Sequence, residues 1–154
     1  MMNSLLLQSA EELRNAIAPP PDVLPSEWGQ EHYVITKGPA AGKPWTPKDG
    51  WEFQTGILDG LFGPLEPGEE IREGVLFKGA KAGCTMIVDI GLHYWVVSRR
   101  QSAAMVAPRK PDSNDRASES ERTIRASKEL RKAFEKTKGR TKQAAGGAQL
   151  IPRS

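Results

Sequence analysis

The feature that most constrains this chain is a loop of small residues set between two apolar runs. A short run at residues 74–77 precedes the loop, and a long run at residues 86–97 follows it. This order predicts a strand, a turn and a buried helix, because glycine lets the backbone turn sharply. The first N–H groups of such a helix have no partner within it, which makes its start a candidate anion site.

The loop departs from the standard phosphate-binding motif in the position of its lysine. That motif has a glycine, four residues and then Gly-Lys-Ser/Thr. Aligned on Gly83 and Thr85, this chain has Cys84 at the lysine position, and Lys78 stands where the first glycine belongs. Backbone N–H groups can still approach an anion, and the Thr85 hydroxyl can still reach Mg²⁺. The alternative is an ordinary strand-to-helix turn, in which the glycines provide only backbone freedom.

The remaining sequence predicts mostly helices, with one further strand. A strand is expected at residues 103–107, where a proline ends it. Together with the strand at 74–77, it predicts an α/β fold with one right-handed βαβ unit, flanking helices and an incomplete sheet. Helices are expected at residues 4–18, from residue 24 with Ser26 as N-cap, and at 51–62, 85–97 and 112–136.

Composition and charge exclude several classes of protein. The single cysteine cannot form an intramolecular disulfide, which fits a reducing cytoplasm. No apolar run reaches the roughly 18 residues of a membrane span, and the N-terminus lacks the basic region of a signal peptide. We therefore expect a cytoplasmic protein that does not contact a membrane.

The charge is divided unevenly along the chain. Residues 1–98 hold 7 Lys/Arg and 13 Asp/Glu, whereas residues 99–154 hold 15 and 6. A basic C-terminal third can lie along the phosphates of nucleic acid. A solvated helix and tail would give the same pattern, so both interpretations remain open.

Several segments, in order, resemble the N-terminal ATPase part of the large terminase subunit of tailed phages (the lambda-type, GpA-like family). Ser26-Glu27-Trp28-Gly29 is similar to the Ser-Glu-Trp-Ala helix at the start of that family's ATPase. Trp51-Glu52-Phe53-Gln54 is similar to its aromatic-Gln segment. The run from Lys78 to Thr85 is similar to its phosphate loop, which in some members carries the lysine at the entrance. The resemblance covers roughly residues 22–135.

This resemblance implies a partial P-loop NTPase fold that binds ATP and Mg²⁺. It divides the chain into an N-terminal helix and proline linker at 1–21, a partial ATPase domain at 22–136 and a basic disordered tail at 137–154. Phe53 and Gln54 become candidates for adenine contact, with core packing and a surface amide as the alternative. In the loop, Lys78 and Lys81 would contact phosphates, Thr85 would ligate Mg²⁺, and backbone donors would come from Gly79, Ala80, Ala82, Gly83 and Cys84.

The resemblance also implies partners and a process. The complete family protein moves viral DNA into a procapsid by ATP hydrolysis and then cuts it, in the cytoplasm of the host cell. The expected partners are double-stranded DNA, the terminase small subunit and the phage portal or procapsid. The small-subunit contact is expected in residues 1–30, and packing of the helix at 4–18 on its own domain is the alternative explanation of its apolar face.

The departures from the family limit the expected chemistry. No apolar run followed by an acid pair lies downstream of Val106, so the carboxylates that orient Mg²⁺ and activate water are not expected, and neither is DNA cleavage. No catalytic residue is assigned, and a truncated, split or decayed gene product would explain the pattern. The alternative function is a small, basic, non-enzymatic DNA-binding or packaging-accessory protein. His93 is expected on the rim of its helix, and Asp89 could serve as a cap, a lysine partner or part of a Mg²⁺ shell.

Overall fold

The computed structural model describes five helices and four strands in the following parts of the chain: residues 22–47, 51–65, 71, 73–76, 82–134, 136–138, 141–143 and 149–153. The helices are α1 (Pro25–His32), α2 (Phe53–Phe62), α3 (Cys84–Val97), α4 (Lys110–Ala126) and α5 (Lys128–Ala133). The strands are β1 (Ala103–Val106), β2 (Lys136–Lys138), β3 (Thr141–Gln143) and β4 (Gln149–Arg153).

Helix α3 forms the centre of the packed structure. Its sequence is apolar on nearly all sides, and nine of its 14 residues are buried, as the sequence predicts for a helix surrounded by other elements. Two glycines let α1 and α2 approach it closely. A Cβ atom on Gly29 would lie 2.8 Å from Cγ2 of Ile90, and one on Gly91 would lie 2.4 Å from Cδ2 of Phe62.

A side chain of another helix, α2, binds the first turn of α1. The sequence predicted Ser26 as the N-cap, and this was wrong, since α1 begins at Pro25 and Ser26 lies in its first turn. The carboxylate of Asp59, on α2, accepts the Ser26 N–H (2.8 Å) and the Ser26 hydroxyl (2.7 Å). A side chain from α2 therefore satisfies a first-turn donor of α1.

The predicted polar helix at 112–136 is two helices. Ser127 has an extended backbone and its Oγ accepts the N–H of Leu130 at 3.2 Å, which caps α5. The bend turns the chain so that the apolar side chains on both sides of it reach the core. The three large apolar side chains of this segment are all buried: Ile124, Leu130 and Phe134.

The four strands form one sheet in the order β1-β4-β3-β2. Strand β1 runs parallel to β4, with Ala103 opposite Leu150, whereas β4 with β3 and β3 with β2 are antiparallel. The elements are thus mixed α/β, as predicted. The predicted βαβ unit is not formed, because residues 74–76 are not in a strand, and β1 has β4 as its parallel partner.

Strands β2, β3 and β4 lie in the segment around 137–154, where the sequence predicted a disordered tail. This segment is rich in glycine and lysine, but it contains a short apolar stretch at residues 150–151. Leu150 of that stretch is buried, and β4 pairs with β1 on one side and, at Gln149 and Leu150, with β3 on the other. The predicted helix at 4–18 and the proline linker lie outside the described residues.

A hairpin-like turn joins α1 to the next segment. Val34 and Pro44 form an isolated bridge, and Ile35 donates its N–H to the Lys43 carbonyl at 2.9 Å. This turn positions Lys37.

Within the described part of the chain, every helix is too short or too polar to span a membrane.

Candidate functional site

The N-terminal end of α3 is built around Gly83. This residue has a φ of 73°, in the left-handed region that favours glycine. Its carbonyl accepts the N–H groups of Met86 (2.9 Å) and Ile87 (3.2 Å). No described side chain caps this end, so the N–H groups of Cys84 and Thr85 lie outside the hydrogen-bond ladder of the helix. The end of α3 thus keeps the positive character that attracts anions.

The described half of the predicted phosphate loop shows what replaces the missing lysine. The Cys84 side chain is buried, with Sγ 4.0 Å from the carbonyl oxygen of Ala82, so the usual lysine position holds a packed thiol. Thr85 is exposed on the outer side of the helix start. The other loop residues assigned to phosphate lie outside the described residues: Lys78, Gly79, Ala80 and Lys81.

Helix α2 supports the turn through Gln54. The Gln54 side chain is buried, and its Nε2 donates to the carbonyl of Ala82 at 3.1 Å. A Cβ atom on Gly83 would lie 2.7 Å from that Nε2. The Gln54 amide, which the resemblance made a candidate for adenine contact, thus binds the loop backbone. Phe53 is 46% exposed, and its ring centroid lies 5.9 Å from that of Trp51 at an interplanar angle of 34°.

A groove of about 370 Å³ opens beside the start of α3. One wall is α3 itself, with Thr85 and Asp89, and the opposite wall is α4. The turn after α1 forms the third side, and Met105 of β1 also lines it. The remaining lining residues are Tyr33, Ile35, Thr36, Lys37, Gly83, Met86, Arg116, Glu119 and Thr123.

One carboxylate in this groove binds two cations. Glu119 of α4 is paired through Oε1 with Nζ of Lys37 and through Oε2 with Nη1 of Arg116, the latter at 2.8 Å. Lys37 comes from the turn after α1, and Arg116 lies one helical turn before Glu119. The side chains of Lys37, Arg116 and Glu119 are 59%, 38% and 27% exposed, so solvent and solutes reach this pair of cations.

Asp89 is fixed by a tyrosine. The hydroxyl of Tyr33 donates to Asp89 Oδ2 at 2.7 Å, and both residues are buried. Burial, and then the Asp89 charge, hold the pKa of Tyr33 well above its usual range. Of the roles that the sequence left open for Asp89, neither a helix cap nor a lysine partner describes this contact.

His93 lies in the core and not on the rim of its helix, so that prediction was wrong. Its Nδ1 is 2.8 Å from the Asp89 carbonyl oxygen, and its Nε2 is 3.1 Å from Ser120 Oγ. A carbonyl only accepts, so Nδ1 carries a proton. In the neutral ring Nε2 then accepts the Ser120 hydroxyl, which joins α3 to α4.

Ser120, His93 and Asp89 occur together as they do in serine hydrolases, but the geometry does not provide that chemistry. Ser120 is 5% exposed and His93 is fully buried, so a substrate cannot reach the hydroxyl. His93 Nδ1 bonds the Asp89 backbone, and its distance of 3.6 Å to the carboxylate Oδ1 is too long for the orienting hydrogen bond of a triad. The cluster is a hydrogen-bonded core network.

A nucleotide phosphate with Mg²⁺ would meet two features at this end of the groove. Gly83, with its left-handed backbone, precedes N–H groups that no described side chain caps, and the exposed Thr85 lies at the same end of the helix. Among the residues that the structure describes, no group of three His, Cys, Asp or Glu is placed to hold a metal ion. A Mg²⁺ ion bound with a nucleotide would be held by Thr85 together with phosphate oxygens, and it would neutralise their charge.

The residues that sequence reasoning missed are Lys37, Arg116 and Glu119. Lys37 and Glu119 are separated by 82 residues, and neither belongs to a recognisable motif.

Comparisons with protein families, with curated proteins and with solved structures found no match.

Proposed function

We propose that this chain binds the phosphate groups of ATP, with Mg²⁺, at the start of α3. The observation that carries the proposal is the left-handed Gly83 followed by helix N–H groups without a side-chain cap among the described residues. Thr85 adds an exposed hydroxyl at the same end of the helix. A helix start of this kind favours anions through its N–H groups and its dipole.

The wider role we propose is that of the N-terminal ATPase part of a phage DNA-packaging motor, in a P-loop NTPase fold. The support is the resemblance of the Ser26–Gly29, Trp51–Gln54 and Lys78–Thr85 segments to the large terminase subunit. DNA, the small subunit and the procapsid are the partners proposed with it. The activity proposed for the residues of this chain is nucleotide binding, and hydrolysis is not part of the proposal.

Titration with a fluorescent ATP analogue and Mg²⁺ tests the site. Lys78→Ala removes the proposed phosphate cation, and Thr85→Ala removes the Mg²⁺ hydroxyl. We expect saturable binding by the wild type and an affinity at least about tenfold lower in each variant, which corresponds to about 1.4 kcal/mol. Lys128→Ala, an exposed lysine of α5, is the control and should bind as the wild type does. A folded wild-type chain that does not bind the analogue would refute the proposal.

A second function, DNA binding without catalysis, is favoured by the charge distribution. Residues 99–154 hold 15 Lys/Arg against 6 Asp/Glu. Exposed cations of this region include Lys128 and Arg131 of α5. Such residues would contact DNA phosphates regardless of base sequence.

A further inference from the structure

Two cations, Lys37 and Arg116, line the groove at the start of α3. Lys37, Arg116 and Glu119 line the same groove as Gly83 and Thr85. The loop itself has Cys84, a buried thiol, at the position of the usual lysine. Among the residues that the structure describes, the cations that line the groove are Lys37, in the turn after α1, and Arg116 of α4.

The carboxylate of Glu119 binds both cations, as an oxyanion from solution would. Its Oε1 binds Nζ of Lys37 and its Oε2 binds Nη1 of Arg116. Two oxygens of a phosphate group can take the same two donors, since guanidinium and ammonium groups bind carboxylate and phosphate alike. Partly exposed ion pairs add little to stability, so the Glu119 carboxylate can leave without unfolding the helix.

We propose that Lys37 and Arg116 form an oxyanion subsite for a phosphate group of the nucleotide, and that Glu119 fills this subsite until the ligand displaces it. The inference rests on the proposed function for the identity of the ligand. A phosphate group carries more negative charge than a carboxylate, so it binds the two cations more strongly. Glu119 then acts as a built-in competitor that lowers the apparent affinity.

The test compares variants that each remove one charge and keep a polar side chain. Glu119→Gln removes the competing charge, whereas Lys37→Gln and Arg116→Gln each remove a cation. Glu121→Gln and Arg125→Gln are matched controls on α4, since Glu121 and Arg125 pair with each other outside the groove. Inorganic pyrophosphate and the fluorescent ATP analogue, both with Mg²⁺ at low ionic strength, serve as probes. Circular dichroism melting verifies that each variant is folded.

We expect Glu119→Gln to bind both probes about tenfold more tightly than the wild type, which corresponds to about 1.4 kcal/mol. Lys37→Gln and Arg116→Gln should each bind about tenfold more weakly. The control variants should match the wild type. Combining Arg116→Gln with Glu119→Gln should abolish the gain, because the two residues act on one subsite.

The outcomes separate this inference from the proposed function. If Thr85→Ala weakens binding but the Glu119, Lys37 and Arg116 variants bind as the wild type does, the site at α3 stands and the subsite is refuted. If Glu119→Gln gains affinity that Arg116→Gln removes while Thr85→Ala has no effect, the subsite stands and the proposed site at α3 is wrong. If no folded variant binds either probe, both are refuted.

Discussion

At the scale of single residues, the contacts of Asp89 show how a charged group is kept in a nearly apolar helix. Its Oδ2 accepts the Tyr33 hydroxyl at 2.7 Å, and its backbone carbonyl accepts Nδ1 of His93. A buried carboxylate without a donor would be costly. Tyr33 therefore stabilises the wall of the groove as well as the turn that carries Lys37.

Replacing Tyr33 with Phe removes this donor without changing the ring. We expect the free energy of unfolding at pH 7 to fall by about 1 to 3 kcal/mol, because Asp89 loses a buried hydrogen bond. Tyr94→Phe is the matched control, since the Tyr94 hydroxyl donates to the neutral carbonyl of Val23 at 2.9 Å. Its loss should be smaller, because bonds to charged acceptors are stronger. Urea denaturation measures both, and an equal loss in the two variants would contradict the assigned role.

The same tyrosine predicts a loss of stability at high pH. Burial and the Asp89 charge raise the pKa of Tyr33 above its ordinary value of 10.0, so the folded chain holds that proton more tightly than the unfolded chain. The contribution of Tyr33 is thus complete below about pH 10 and decreases as the pH rises further. Burial raises the pKa of Tyr94 as well. Tyr33→Phe should retain the smaller Tyr94 effect, and its stability should fall less steeply above pH 10 than that of the wild type.

At the scale of elements, the packing of α2 against α3 depends on one glycine. A Cβ atom on Gly91 would lie between 2.4 and 2.5 Å from three atoms of the Phe62 ring. The ring cannot retreat freely, because its centroid lies 5.5 Å from that of Trp95, and Trp95 Nε1 donates to the Phe62 carbonyl at 3.0 Å. Any side chain introduced at position 91 would therefore force α2 to shift.

Gly91→Ala should lower the free energy of unfolding by about 1 to 3 kcal/mol, the usual cost of overpacking a core. Gly60→Ala, in α2, is the control, because a Cβ atom there meets nothing within 4 Å. Alanine is a better helix former than glycine by about 1 kcal/mol, so Gly60→Ala should be stabilising. Urea denaturation of the two variants gives opposite signs if the close contact governs the packing, and the same sign would contradict it.

At the scale of the whole molecule, the acidic and basic parts of the chain do not form separate parts of the fold. The charge changes sign at about residue 98, directly after α3, and the basic part holds the whole sheet together with α4 and α5. Yet β1 reaches the groove through Met105, and α4 supplies Arg116 and Glu119. The described residues of the basic third thus contribute to the groove and to the sheet.

The DNA-binding function predicts that exposed cations of this third govern affinity. Lys128→Gln combined with Arg131→Gln should weaken binding to double-stranded DNA. It should also reduce the slope of log K against log salt by about 2, since each phosphate contact contributes about 0.9. The matched control is Lys37→Gln with Lys43→Gln, which removes two exposed cations of the N-terminal part. Equal salt dependence in the wild type and both double variants, measured by fluorescence anisotropy, would count against DNA binding.

Much of the helical structure could be predicted from the sequence, and most of the sheet could not. Apolar spacing indicated α2 and α3 nearly to their ends, because burial of one helix leaves its period in the sequence. The break at Ser127 was missed, since the polar pattern continues across it. Strand β4 was missed because its pairing with β1 is between segments far apart in the chain, which leaves no local period.

The sequence by itself determined the helix that forms the core, the glycine at its start and the division of charge. These are properties of contiguous residues, and side-chain size, backbone freedom and charge act there without reference to the rest of the chain. Only the tertiary structure decided that Asp59 binds the start of α1, that β4 pairs with β1 and that Lys37 meets Arg116 on Glu119. Such contacts depend on how separately formed helices pack, and packing is a sum over the whole core that no short segment contains.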